Sequence, residues 1–447
     1  MPAGTSARPA REREAWSVTR MNRALGDDAA MTLRALRDDY DTLTRLERGA
    51  LDTEALLARG RALRDELLDR HASAIYHDVT NGLTTPLRLA ELVRVVADRF
   101  PGLVPSANAV AKEHVRTRRD KLGVEVDQGI LVAHLLADPV TGEHLMEAMT
   151  LPHPRSAAAL AEVRRTGAVD LGSVRVDRRG RVGHVTLQNV QSLNAEDAET
   201  TEALEIAVDV VLLDDEIDVG VLRGAQMTHP RWAGRRVFGS GINLTRLRDG
   251  RIPLVEFFLE RELGVISKIH RGHPRDGRGP SDARHEKPWI AAVDSFAIGG
   301  ACQFLLVVDH VIAETDAYFS LPATREGIIP GYGGGRLARA IGEQRAKHVV
   351  FFSDRIPAST SDGRLLAGDV VPAEDMQARI DSAAEQLTRA GMRSVQANRR
   401  ALRLATEPLD TFREVMSAYA RDQAYCVDDP ALVTNLERVW PAARRSA

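Results

Sequence analysis

The sequence predicts an α/β protein with a helical first half, and three observations predict it. From residue 20 to about 150, apolar residues recur at helical intervals with charges between them. After Pro152–Ser156, short β-branched runs appear at Val174–Asp177, Val182–Leu187, Val219–Arg223 and Trp289–Val293, with helical stretches between them. Strands that alternate with helices call for a parallel-rich sheet covered by helices. Third, Trp289–Asp309, WIAAVDSFAIGGACQFLLVVD, reads as a strand, a glycine turn and a buried helix. A chain of 447 residues with 44% hydrophobic content can fill cores of this size.

In chain order, Met1–Ala30 is rich in Arg, Ala, Asp and Glu and has no apolar centre, unlike a secretory signal or an acid-free transit peptide. No apolar run approaches a membrane span. The two cysteines, Cys302 and Cys426, are too few for a disulfide framework. A cytoplasmic location is expected. A formal net charge of −3 argues against a general nucleic-acid binder, because the arginines are matched by dispersed acids. Leu51–Tyr76 has the spacing of an amphipathic helix. Thr85-Pro86 reads as the N-cap and first residue of a helix over Leu87–Phe100, ended by Pro101-Gly102, and Asp138-Pro139 breaks the helix that follows. This half carries no repeat, metal-ligand spacing or nucleophile motif. It reads as a helical oligomerisation or lid domain.

Pro152–Ser156 and the Ala-rich connector behind it mark the end of a helical domain over 1–170. Arg178-Arg179-Gly180 joins the first two strands as a hairpin. A helix is expected over Ala195–Leu213, and Arg271–Glu286, full of Gly, Pro and charge, is expected as a surface loop. In the helix predicted over Leu254–Ile269, Leu254, Phe258, Arg261, Val265 and Ile269 share a face. A guanidinium inside an apolar stripe needs an accepting partner or a route to solvent. Substrate contact and a structural ion pair both satisfy it.

Two glycine loops enter helices: Gly299-Gly300, and Phe238–Leu244, FGSGINL. A helix entered in this way aims unpaired N–H groups and the positive dipole end at the space ahead of it, which makes an anion site, although ordinary α/β connections look the same. Gly331-Tyr332-Gly333-Gly334-Gly335 imitates a dinucleotide fingerprint, with Asp354 as the distal acid. It fails, because Arg336 holds the third glycine position and Pro330 stands where a strand should run. His229–Arg236 is a basic turn that would suit phosphate or simply the surface.

These motifs resemble the crotonase (enoyl-CoA hydratase/isomerase) superfamily. FGSGINL resembles its F-C-A-G-A-D-L loop, IAAVDSFAIGGACQFLLVVD its A-A-V-N-G-x-A-x-G-G-G-x-E-L segment, and FSLPATREGIIPGYGGGRL its P-E-x-x-x-G-I-I-P-G-x-G-G-x-x-R-L segment. The resemblance covers about Val174–Gly391 and implies a crotonase-type ββα core. It implies an acyl-CoA thioester whose carbonyl oxygen lies between the N–H groups of Ile242 and Gly300. Donors of this kind are worth roughly 3–4 kcal/mol each in the transition state. By the same resemblance, His229, Arg231, Trp232, Arg235 and Arg236 receive coenzyme A, and Ser240, Gly241, Asn243, Gly299 and Ala301 flank the two donors. The C-terminal helices would join copies into trimers or hexamers.

The chain departs from the hydratases at both catalytic glutamates, which would fall at Gln303 and Ala323, residues that cannot move a proton at neutral pH. Glu326 holds a usually apolar position. A helical N-terminal extension, Gln303 and Arg261 together resemble a branch of the superfamily that oxygenates an arylacetyl-CoA with O2 and uses no metal or organic cofactor. That resemblance implies that Glu196, Arg261 and Gln303 surround the aryl group, with Ile328 and Ile329 in an apolar wall that admits O2. From the residues alone, Glu196 reads equally as helix N-terminal charge.

Overall fold

The computed structural model describes residues 25–43, 46, 48–274 and 284–439. Among the described residues, seven α-helices come first: α1 (Asp27–Leu43), α2 (Leu51–Val79), α3 (Leu89–Arg99), α4 (Ala107–His114), α5 (Glu125–Ala137), α6 (Pro139–Thr150) and α7 (Ser156–Thr166). α3 starts two residues later than the Thr85-Pro86 signal predicts, and its cap is Arg88, whose guanidinium reaches Glu205 at 2.8 and 2.9 Å. Asp138 does more than end a helix. Its side chain accepts from Thr141 N–H at 2.8 Å and so caps α6, with Pro139 in the first turn.

The strands are β1 (Ala168–Asp170), β2 (Val174–Arg179), β3 (Val182–Leu187), β4 (Val219–Gly224), β5 (Trp289–Val293), β6 (Phe296–Ile298), β7 (His310–Glu314), β8 (Tyr318–Ser320) and β9 (Asp369–Val371). The main sheet runs β1-β2-β3-β4-β5-β7-β9, with β1, β2 and β3 antiparallel and every later pairing parallel. β5 is buried at all five positions, as a parallel strand covered on both faces requires. Helix α8 (Ala198–Leu213) covers one face in a cluster with Leu222, Ala291 and Val293, and the helix Met376–Arg389 covers the other through Met376 and Ile380. β6 and β8 pair parallel in a small second sheet. The fold is α/β, with helical regions before and after the core.

A separate hydrophobic cluster joins the N-terminal helices to the chain's end. Ile130 and Leu131 of α5, Phe257 and Phe258, and Phe412 and Met416 of α12 (Leu409–Asp428) share it. α5 and α12 cross closely, since a Cβ on Gly129 would lie 2.6 Å from Ala420 O and Ala424 Cβ. The apolar face of the C-terminal helix is thus covered within its own chain.

Three expectations are corrected. α8 begins at Ala198, not Ala195, because Leu193 and Asn194 turn left-handed (φ 52° and 54°) and Asp197 forms a reciprocal cap with Thr200. Glu196 therefore lies outside the helix, and its reading as helix N-terminal charge does not hold. The segment predicted as one α-helix over Leu254–Ile269 is two π-helical stretches, Leu254–Leu259 and Arg261–Ile266, followed by an α-turn over Ser267–Arg271. The ends of Arg271–Glu286 are not wholly surface: His273–Pro274 pairs with Arg284–His285, His273 is buried, and Glu286 is buried against Arg399 and Arg403, while His285 is exposed. Residues 275–283 lie outside the described residues.

Candidate active site

The two glycine loops are brought face to face by backbone pairing. Gly239 bridges Ala297 in β6, with Ile298 N–H donating to Gly239 O at 3.0 Å. The approach needs glycine, since a Cβ on Gly239 would lie 2.7 Å from Ala301 Cβ, and one on Gly241 (φ +81°) would lie 2.8 Å from Ile298 O. Glu196 then pairs in parallel with Ile242: Glu196 N–H donates to Gly241 O and Asn243 N–H to Glu196 O, each at 2.8 Å. In that register the Ile242 N–H points to the opposite side from Glu196. Gly300 opens helix α9 (Gly300–Leu305), so its N–H has no acceptor within the helix. Two free amides from segments far apart in sequence border one cleft.

Between them lies a narrow cleft lined by Glu196, Ile242, Arg261, Gly300, Gln303 and Glu326. Its polar side is built on Arg261. Arg261 Nε donates to Glu196 Oε2 at 2.7 Å, Nη1 to Gln303 Oε1 at 2.9 Å and Glu262 Oε1 at 3.2 Å, and Nη2 to Gly300 O at 2.7 Å. Its guanidinium carbon lies 4.7 Å from the Phe304 ring centroid. Burial opposes the charge, but Glu196 and Glu262 more than offset that and hold the Arg261 pKa above its ordinary value. The arginine is therefore both ion-paired and part of the cleft wall. The i→i+5 bonding of the π-helical stretches widens the turn, so Phe257, Phe258, Arg261 and Glu262 all reach the cleft.

Glu262 is pressed under Gly331, where a Cβ would lie 2.1 Å from its carboxyl carbon, and Tyr332 N–H approaches its Oε2 at 3.5 Å. Burial raises its pKa against the pull of Arg261 and Arg336. Glu196 Oε1 is buried without a hydrogen-bond partner and would lie 2.4 Å from a Cβ on Gly300. The opposite side is apolar, with Ile328, Ile329 and Leu321. Glu326 ends α10 (Ala323–Glu326) in that wall, and burial pushes its carboxyl up to about 8, with Arg325 opposing. Tyr419 of α12 closes the cleft, with burial holding its phenol well above 10. Cys302, beside Gly300, is buried and pushed up to about 12, a neutral thiol rather than a nucleophile.

Of the residues named from sequence, Glu196, Ile242, Arg261, Gly299, Gly300, Gln303, Ile328 and Ile329 line the cleft. Others do not. Ser240 Oγ donates to Ser192 O at 3.3 Å, and the Asn243 side chain caps the short helix Leu244–Arg248. Ala301 packs against Gly239, while Gly241 provides the turn. The basic loop lies apart from the cleft wall. His229 accepts from Arg231 N–H, Trp232 packs edge-on against Phe296, Arg235 stacks over Trp232, and Arg236 donates to Gly224 O at 3.0 Å. Sequence reasoning missed Phe257, Glu262 and Tyr419. Tyr419 sits on the stripe Phe412, Met416, Tyr419, Gln423, which resembles any core face. The rejected dinucleotide motif becomes helix α11 (Gly333–Ile341), where Arg336 is buried in a bidentate pair with Glu407 at 2.8 and 2.9 Å. Among the described residues, no group of three or more His, Cys, Asp or Glu could hold a metal ion, and no helix is long and apolar enough to cross a membrane.

The glycine loops thus bring Ile242 and Gly300 to one cleft beside Arg261, Glu196 and Gln303. The chain belongs to the enoyl-CoA hydratase/isomerase, or crotonase, family, whose sequence profile matches residues 283–425. It is 49% identical to the (3,5-dihydroxyphenyl)acetyl-CoA 1,2-dioxygenase of Amycolatopsis orientalis over 364 residues, 81% of this chain and 83% of that one. Similarity to the short-chain-enoyl-CoA hydratase of Clostridium acetobutylicum is 29% over 192 residues, 42% of this chain and 65% of that one. A crystal structure of an enoyl-CoA hydratase from Mycobacterium avium subsp. paratuberculosis aligns with a TM-score of 0.49 at 22% identity, covering 60% of this chain and 99% of that one.

Proposed function

We propose that this protein is a dioxygenase that converts (3,5-dihydroxyphenyl)acetyl-CoA and O2 to 3,5-dihydroxyphenylglyoxylate and free CoA, in the biosynthesis of dihydroxyphenylglycine for glycopeptide antibiotics. The observation that carries this reading is the 49% identity to the Amycolatopsis dioxygenase across most of both chains. The chemistry of the cleft supports it. The thioester carbonyl sits between the Ile242 and Gly300 amides, which stabilise the enolate formed when the α-carbon loses a proton. An electron-rich aryl enolate gives its electrons to O2 directly, and the peroxide formed at the α-carbon attacks the thioester carbonyl. Collapse breaks the C–S bond, releasing the CoA thiolate, and then the O–O bond together with the remaining α-C–H bond, whose hydrogen leaves as a proton, so one oxygen of O2 stays on the ketone and the other on the carboxylate.

Arg261, Glu196 and Gln303 form the polar end that receives the ring hydroxyls, and the free Glu196 Oε1 is an acceptor for one of them. Ile328 and Ile329 keep water from the enolate while O2 enters. The basic turn His229–Arg236 takes the phosphates of coenzyme A. No metal or organic cofactor takes part. In this reading residues 1–170 are a helical domain, 171–395 the acyl-CoA core and 396–447 a C-terminal helical region, in a cytoplasmic homotrimer or homohexamer.

The test is O2 uptake and CoA release by chelator-treated protein with (3,5-dihydroxyphenyl)acetyl-CoA. Equal molar O2 consumption and CoA release are expected. CoA release without O2 consumption would make the protein a hydrolase or decarboxylase instead, and activity restored only by iron or flavin would overturn the cofactor-free mechanism. Binding of CoA without turnover would make it an inert relative.

A further inference from the structure

We propose that Glu326 is the base that removes the α-proton of the thioester in the cleft. The proposal rests on the reading of the site as one that forms a thioester enolate, and it names a group that reading leaves open. Removing the proton breaks the α-C–H bond and forms an O–H bond on Glu326. The electron pair passes into the enolate, whose oxygen lies between the Ile242 and Gly300 amides.

The assignment follows from what each titratable group in the cleft is already doing. Arg261 is a permanent cation. Glu262 is paired with Arg261 and sealed under Gly331. Tyr419 is held as a neutral phenol by burial. Glu196 Oε2 is fastened to Arg261 at 2.7 Å, so taking a proton there would undo the ion pair that also positions Gln303 and the Gly300 carbonyl. Glu326 differs from all of these. Among the described residues its carboxyl makes no hydrogen bond and no ion pair, and it stands in the apolar wall with Ile328 and Ile329.

An unpartnered carboxyl in such a wall is destabilising when charged, which is the condition a general base near neutral pH requires. Its pKa of about 8 follows from burial, opposed only by Arg325 on the same helix, whose side chain is exposed. The neighbouring helices turn their charges elsewhere. On Glu343–Phe352, Arg345 pairs with Asp354 and Asp362, and Lys347 with Glu343, while His348 lies 4.0 Å from Asp354. On Pro430–Val439, Glu437 pairs with Arg119 and Arg438 with Asn435. The placement is also specific: Glu326 is three residues beyond Ala323, one turn along the same face of α10, and Gly327 (φ +80°) ends the helix directly after it.

The experiment separates proton removal from oxygenation. Full-length protein is incubated without O2 in D2O with (3,5-dihydroxyphenyl)acetyl-CoA, and deuterium entering the α-position is followed by mass spectrometry. Wild type should exchange, and Glu326→Gln, which matches the neutral acid in size, should lose exchange by roughly a hundredfold or more. Glu326→Asp should recover part of the rate, and it serves as the test if the Gln variant does not fold. With O2 present, kcat/KM of wild type should rise with pH to a plateau above about 8, and that limb should vanish in Glu326→Gln. Exchange at the wild-type rate in Glu326→Gln would overturn the assignment. Exchange by wild type without O2 uptake would leave the base in place and overturn the dioxygenase reading; no exchange and no uptake would overturn both.

Discussion

Replacing Arg261 by lysine keeps one positive charge and removes the planar fork. The guanidinium spreads four hydrogen bonds in its plane, to Glu196, Gln303, Glu262 and the Gly300 carbonyl. An ammonium offers three donors from one point and cannot span those four acceptors. Two bonds are expected to be lost, at about 1.5–3 kcal/mol for each charge-assisted bond, so stability should fall by roughly 3–6 kcal/mol. With an unfolding entropy of about 2.1 cal/mol/K per residue, a chain of 447 residues loses about 1 °C of melting temperature per kcal/mol. The thermal midpoint should therefore drop by about 3–6 °C, leaving the protein folded at 25 °C. Turnover should suffer more. Glu196 and Gln303 lose the group that fixes them, and a 1 Å misplacement costs about a hundredfold. We expect kcat/KM, measured by O2 uptake, to fall at least tenfold, about 1.4 kcal/mol of transition-state stabilisation. Wild-type kcat/KM in the folded variant, whatever its melting temperature, would refute a positioning role for Arg261.

Gly300→Ala should lower kcat/KM by about a hundredfold while CoA binding survives, because the new Cβ would lie 2.4 Å from Glu196 Oε1 and 2.8 Å from Arg261 Nη2 and must displace both; calorimetric titration with CoA beside the O2 assay checks this. Glu260, half-buried and accepting from Ala90 N–H at 3.0 Å, is raised by desolvation to about 7. Its folded pKa exceeds its unfolded value near 4.5, so the stability it contributes is full below pH 4.5 and is lost as pH rises through 7. Glu260→Gln should thus gain on wild type between pH 5 and 8, by about 3 kcal/mol at most, read as melting temperatures at the two pH values. Gly331→Ala should destabilise by about 1–3 kcal/mol, since φ +49° strains an alanine and its Cβ would collide with the Glu262 carboxylate. Denaturant titration would show the shifted midpoint. Light scattering at micromolar protein should give the mass of a trimer or hexamer, and a monomer would refute the assembly.

The sequence by itself determined what depends on near neighbours. Apolar runs set β3, β4 and β5, because a strand's burial is written in its own residues. Glycines at 239, 241, 299 and 300 marked the two loops, since close backbone approach and left-handed angles exclude other side chains. Motif order then carried the family. The tertiary structure decided what depends on partners brought from a distance. Arg261 was legible as a misfit on an apolar face, but its union with Glu196, 65 residues away, and Gln303, 42 residues away, was not. A buried charge is tolerated only with partners, and no local pattern names them. For the same reason Glu407, fully buried among Arg271, Arg336 and Arg339, left no trace in the sequence. The π-helical turns escaped too, because the apolar spacing of Leu254–Ile269 also fits an α-helix and only packing widens it. Whether Glu326 faced solvent or the cleft was settled by the wall around it: Thr324 and Arg325, just before it on α10, are exposed, and only the packed neighbours fix which face is inside.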